Sequence, residues 1–344
     1  MNDETPVSPH LESDLWRWLL FESGLNRRRA REIILQGAQS NALSLFWQAG
    51  PAILAQQLTL SPEESTRFQK VYADWAAYDI RFDAERRGGL QTLRINEPGY
   101  PDSLLRFLPP ERRPLLLFLR GEMALWDMPT LLPVAGTQPD EEAIVWALDV
   151  LADLAMEGAL PLLIAQAGFE ALAVRTFITA GVPFVLLVPQ GLAAYVPPAG
   201  LQQALDEGRA LLVSPFQPDW RAPAEGENPM LPHAVAFAHS LAHALLALSP
   251  PAFAPAPEQP CFRWPGLTDG SSCPDVYGDA EFFFLRLAES AASGPPDVIV
   301  AAAQASAPPS AEPIDPAEIL ETLARGGDIP PALAQRLRNY SKAD

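Results

Sequence analysis

Cysteine is nearly missing from this chain: Cys261 and Cys273 are its two cysteines in 344 residues. That is too few for a disulfide scaffold and fits a reducing cytoplasm. Long apolar runs are missing as well. No stretch approaches the roughly 18 residues of a membrane span, and the opening MNDETPVSPH is polar and acidic, so a cytoplasmic protein without membrane contact is expected. Basic charge is the third shortage. The net charge is −18, and residues 1–130 hold 15 Lys and Arg against 17 Asp and Glu. Of the chain totals, 24 and 42, that leaves 9 basic against 25 acidic residues from position 131 onward. Polyanion binding rests on Lys and Arg neutralising phosphates, so the central and C-terminal parts are poorly equipped for it. The same acidity also serves solubility alone.

What is present is hydrophobic and patterned. At 48% hydrophobic residues, the chain can bury a sizeable core, and its length suits two or three domains. Residues 1–13 read as a disordered N-terminus. From Asp14 to about residue 90 the pattern is helical, with short segments separated by Gly24, Gly37 and Gly50. A longer helix starts at Ser61, where Pro62 takes the first helical position and Glu64 completes a capping box. Gln91 to Ile95 reads as a short strand.

The centre of the chain is a strand, glycine turn, helix and strand. The runs Leu131–Ala135 and Leu160–Ala165 flank a helical pattern at Ala143, Val145, Trp146, Leu148, Leu151 and Leu154. Within about 30 residues this makes a βαβ unit of a parallel sheet. Ligands of such sheets sit outside the strand C-termini, here near Gly136 and Gly168. The alternation continues through VPFVLLVPQGL, LQQALDEG, RALLVSPF and a helix running into ALLALS. A Pro-rich insertion follows near residues 250–274. The strand-and-helix domain extends to about 303, a linker covers 304–314, and a short helical tail covers 315–344.

Several constellations compete with plain structural readings. The turn Glu22-Ser23-Gly24-Leu25-Asn26 leads into Arg27, Arg28, Arg29 and Arg31, the densest basic cluster in the chain. Gly24 and Asn26 tolerate positive φ, so a helix-hairpin-helix turn presenting backbone N–H groups to a phosphate is one reading. A solvated helix face is the other. His233, His239 and His243 lie close in sequence, with i,i+4 spacing for the last two. Without an HExxH glutamate, no metal is expected. Cys261 and Cys273 lack two further ligands for zinc. Gly136, Thr137 and Gly168 suit a nucleotide phosphate held by backbone N–H groups, or serve only as turns. Glu170 is either a site carboxylate or an exposed side chain after a turn. No catalytic set stands out.

Taken together, the order of elements and several motifs resemble the DNA-processing protein A (DprA/Smf) family. Glu97-Pro98-Gly99-Tyr100-Pro101, Leu104-Leu105 and Leu117-Phe118-Leu119-Arg120-Gly121 match the family's "DPxYPxxL…PPxxLFxRG". The resemblance implies a small helical domain of SAM or helix-hairpin-helix type before an extended Rossmann-like α/β domain, a non-enzymatic protein without cofactor, and single-stranded DNA as ligand. It also implies a RecA-type recombinase as partner during natural transformation, and a homodimer formed through the Rossmann-like domain. The binding positions it implies are Gly136, Thr137, Gln138, Gly168, Glu170, Ser214 and Ser240, with backbone contacts from Gly24, Asn26, Arg27, Arg28 and Arg29.

In the Rossmann-like part the turn-forming residues are largely kept, while the positions that would carry positive charge to a phosphate are replaced. The family's Gly-Ser-Arg is Gly136-Thr137-Gln138 here, and in "SGLARGIDAAAH" the Arg, Asp and His stand as Ala167, Glu170 and Val174. Gly191, Tyr195 and Pro197 follow "GCGLDxxYP", and Val213-Ser214-Pro215-Phe216 follows "LSExP" without its glutamate. Both arginines of "RNRIIAGLS" are replaced, by Pro232 and Ala234. Arginine's planar fork suits phosphate and neither Gln nor Ala replaces it. The alternatives are therefore a diverged member acting through protein contacts, or a sensor for a small nucleotide.

Overall fold

The parallel strands are strongly apolar segments of the chain. Leu160–Ile164 and Ala210–Ser214 are buried at every position, as expected of strands covered on both faces. A computed structural model describes residues 9–267 apart from 41, 44–45, 47–49, 53–56, 137–138, 224–225 and 250–258. The expected linker and C-terminal tail, Cys273 and nearly all of the Pro-rich insertion lie outside the described residues.

Eight strands form one sheet among the described residues: β1 (Gln91–Arg94), β2 (Leu116–Gly121), β3 (Thr130–Val134), β4 (Leu160–Ile164), β5 (Phe184–Leu187), β6 (Ala210–Ser214), β7 (Ala244–Ala247) and β8 (Cys261–Arg263). Their order is β1-β2-β6-β5-β4-β3-β7-β8. From β6 to β8 every pairing is parallel. β1 and β2 run antiparallel at one edge, with Phe118 opposite Ser214.

Helices α1 (Pro9–Phe21), α2 (Arg27–Gln39) and α3 (Pro62–Arg87) precede the sheet, and α4 (Asp102–Phe107) lies between β1 and β2. The crossovers from β3 to β6 carry α5 (Glu141–Met156), α6 (Phe169–Ala180) and α7 (Ala199–Asp206) in one direction across the sheet, which puts them on one face. The return crossover carries α8 (Leu231–Leu241) on the opposite face. There it meets α4, and Ser103 Oγ donates to Leu241 O at 2.9 Å. In α5 the buried residues Ala143, Ala147, Val150, Leu151, Leu154 and Ala155 make one helical stripe. The sheet domain is thus the α/β, Rossmann-like type expected, with its strand order reversing beside β3.

The helical region differs from expectation in three places. α1 begins at Pro9, and Ser13 and Asp14 are buried, so residues 9–13 belong to a helix rather than to a disordered N-terminus. Gly37 lies within α2 instead of ending it, and its small size is needed there, since a Cβ would run into the Leu43 side chain. Asn26 has φ −67° and ψ 152°, and its Oδ1 accepts from Arg29 N at 2.9 Å. It is an N-cap, not a left-handed turn residue. The capping box of α3 forms as its residues foretell: Glu64 N donates to Ser61 Oγ, and Ser61 N donates to the Glu64 carboxylate.

Candidate functional site

A doubly wound sheet opens a crevice where its strand order reverses. Here that point is the C-terminal end of β3, flanked by β4 and β7. The chain leaves β3 at Gly136, and a Cβ on Gly136 would stand 2.9 Å from Ser249 Oγ at the end of β7. Glycine therefore leaves room for the Ser249 side chain at the switch point. Thr137 and Gln138 lie outside the described residues.

Past β4, Gly168 adopts φ 96° and ψ −141° and starts α6, a conformation nearly closed to other residues. Glu170 in the first turn is buried rather than exposed, and Gln166 Nε2 donates to its Oε1 at 2.6 Å. Burial raises the Glu170 carboxyl above its ordinary value, opposed by hydrogen bonds from its own backbone and from Gln166.

Two further expected residues are occupied internally. Ser214 Oγ is buried at the end of β6, donates to Gln190 O at 2.7 Å and accepts from Phe216 N. Ser240 Oγ donates to Ala236 O inside α8. Both hydroxyls hold local backbone. His239 lies in the last turn of α8 and is pushed down to about 4 by burial. His243 follows the helix end, and its Nδ1 accepts from Thr130 N at 3.0 Å, so the two imidazoles do not share a helical face.

The electrostatics of the rim run against anions. Helix N-termini favour negative charge, but α5 already supplies it with Asp140, which caps Glu142 N at 2.8 Å, and with Glu141 and Glu142. α6 does the same with Glu170. Among the described residues from 131 onward the basic side chains, histidine aside, are Arg175, Arg209, Arg221 and Arg263, and Arg209 pairs with Glu207. A phosphate entering this crevice meets carboxylates first.

The expected basic turn separates into two parts. Arg29 is held by Glu64, with Nε to Oε1 at 2.7 Å and a second bond at 3.0 Å, and this pairing raises its guanidinium further. Arg31 donates to the carbonyls of Arg113 and Pro110. These two arginines tie α2 to neighbouring segments. Arg27 and Arg28 are exposed beside exposed Gly24, and Arg28 makes an i,i+4 pair with Glu32 at 3.1 Å. Gly24, with φ 70°, has open space around it.

Sequence reasoning missed the clamps between the loops after β5 and β6. Gly191 N donates to Trp220 O at 2.9 Å and Ala194 N to Pro218 O at 3.0 Å. Gln190 Oε1 accepts from Ala222 N, and Asn228 Nδ2 donates to Pro189 O at 2.8 Å. Phe216 and Trp220 stack at a tilt, with centroids 6.2 Å apart. The available signal was Gly191, already conspicuous in its motif.

These features define a Rossmann-like sheet domain fused to a helical region. Among solved structures the fold is similar to DNA processing protein A (DprA) from Streptococcus pneumoniae, at 14% sequence identity over 74% of this chain and 87% of that one, with a TM-score of 0.51. DNA processing protein A from Helicobacter pylori, described for its single-stranded DNA binding mode, matches at 15% identity over 58% of this chain and 96% of that one, with a TM-score of 0.43. No protein-family model and no curated protein matches the chain. The fold is therefore DprA-like. No helix among the described residues is long and apolar enough to cross a membrane.

Proposed function

We propose that this is a non-enzymatic DNA-processing protein of the DprA kind, in which single-stranded DNA is met by the helical region and not by the sheet rim. The observation carrying this reading is the distribution of charge. Arg27 and Arg28 stand exposed at the N-terminus of α2, where side-chain and helix-end charge favour the same anion. The rim presents Asp140, Glu141 and Glu142 in the corresponding place. Handing the strand to a RecA-type recombinase is the role that such a fold would serve.

Fluorescence anisotropy of a labelled oligonucleotide about 30–50 nucleotides long, titrated across salt, tests the proposal. Binding should weaken with salt, and R27A/R28A should lower the slope of log K against log salt by about 1.4, at about 0.7 per phosphate contact on single strands. No binding at low salt, or an unchanged slope in the double variant, overturns it. A second reading, a protein-interaction module without DNA, is favoured by the same carboxylates at the start of α5. It is the conclusion if oligonucleotides fail to bind.

A further inference from the structure

The loops after β5 and β6 form a braced surface, with Leu192 in the core beneath it and Tyr195 and Phe216 packed against that core. Five bonds lock them together: Gly191 N to Trp220 O, Ala194 N to Pro218 O, Ala222 N to Gln190 Oε1, Asn228 Nδ2 to Pro189 O and Ser214 Oγ to Gln190 O. A Cβ on Gly191 would fall closer than 3.0 Å to the carbonyl oxygens of Gln217 and Pro218, so the loops approach as closely as backbones can. On this brace sit apolar groups left partly open to solvent. Phe216 and Trp220 are half-buried in their tilted pair, Tyr195 is half-buried, and Val196 is 84% exposed. Rigid aromatics on a pre-ordered backbone lose little freedom on binding, which is the make-up of an interface anchor.

Charge decides what the anchor fits. Asp219 and Glu227 are exposed in the same loop as Trp220, with Arg221 as the opposing charge. Asp140, Glu141 and Glu142 follow β3 on the same C-terminal side of the sheet. A nucleic acid would bring phosphates to these carboxylates. A second copy would bring another net charge of −18. Like charges facing one another across an interface are costly and opposite charges steer encounter.

We propose that the Tyr195–Trp220 surface docks a basic, apolar-anchored segment of a partner protein. Its side chains pack on Phe216, Trp220 and Val196, while its lysines or arginines face Asp219 and Glu227. The variants below change this surface and leave Arg27 and Arg28 in place, so peptide binding and oligonucleotide binding are read separately.

The test uses the full chain and a fluorescein-labelled peptide of about a dozen residues, rich in lysine with two central leucines, followed by anisotropy at several salt concentrations. Wild type should bind, more weakly at high salt. W220A should lose about tenfold or more in affinity, as an interface anchor does. Because Trp220 also packs on Phe216, V196S and D219K/E227K are the variants that leave the fold intact. V196S should weaken binding at all salt concentrations, and D219K/E227K should weaken it most at low salt. Peptide binding that ignores both variants overturns the proposal, as does no binding by wild type. Retention of a single-stranded oligonucleotide that depends on Trp220 would also overturn it, by making the surface a base-stacking platform.

Discussion

Replacing Gly191 by alanine should be among the more damaging single-methyl additions in the sheet domain. The methyl group would fall closer than 3.0 Å to the Gln217 and Pro218 carbonyl oxygens, and both obstacles are backbone rather than mobile side-chain tips. Relief means parting the loops, which stretches the bonds of Gly191 N to Trp220 O and Ala194 N to Pro218 O, now 2.9 and 3.0 Å. At about 1 kcal/mol for each bond and about 1–3 kcal/mol for overpacking, the cost is about 3–5 kcal/mol. For a chain of this size 1 kcal/mol moves the melting temperature by about 2–4 °C, so differential scanning calorimetry should show a fall of about 10 °C. Gly181→Ala is the control. Gly181 has φ 75° and nothing within 4 Å of a would-be Cβ, so it carries only the left-handed backbone penalty of about 1–2 kcal/mol. A Gly191→Ala melting temperature within about 2 °C of wild type, or a larger fall for Gly181→Ala, would refute the close-approach argument.

The remaining expectations concern charge and capping. Glu170 has its carboxyl raised by burial, so the native state holds its proton to higher pH than the unfolded chain does. Its penalty is absent below the ordinary glutamate range and grows as pH rises through the folded value; E170Q should match wild type in acid and exceed it at neutral pH in denaturant titrations. Arg17 is buried, pairs with Glu85 and lies 4.2 Å over the Phe82 ring. Arg17→Met alone should cost about 3–5 kcal/mol, and Arg17→Met/Glu85→Leu should recover most of it, because the stranded carboxylate is then gone. Ser61→Ala removes the N-cap of α3 and should lower stability by about 1 kcal/mol in the same titrations.

The fold was legible wherever burial itself writes the pattern. Leu131–Ala135 and Leu160–Ala165 read as parallel strands because a strand covered on both faces is a continuous apolar run, and Ser61, Pro62 and Glu64 spelled a helix start through local hydrogen bonds. The direction of β2 was not legible: LLFLRG is as apolar as its parallel neighbours, and its antiparallel pairing with β6 depends on partners far along the chain. Gly37 looked like a helix break because Leu43, the residue that requires its small size, is recognisable only in three dimensions. At the candidate site the glycine turns were visible and their surroundings were not. Gln190 and Asn228 act through side-chain bonds to backbone 32 and 39 residues away, which leaves no periodic trace. Glu170 could be given a position in its turn, but only the packing around it made it a buried acid.

The way α1 and α2 sit on the sheet has a consequence for how the chain can be divided. Arg94 of β1 pairs with Glu12 of α1 and lies 5.6 Å from the Trp16 ring centroid. Phe21 meets Phe118 of β2 at 6.1 Å, and Arg31 grips the carbonyls of Pro110 and Arg113. Gly88 and Gly89, where a boundary would be drawn by eye, therefore separate pieces that share one interior. A nick there would leave two fragments that stay associated, and a clone beginning at residue 91 would carry an uncovered Phe118 into solution. In any shuffling of such chains, the helical region and the antiparallel edge of the sheet must travel as one piece.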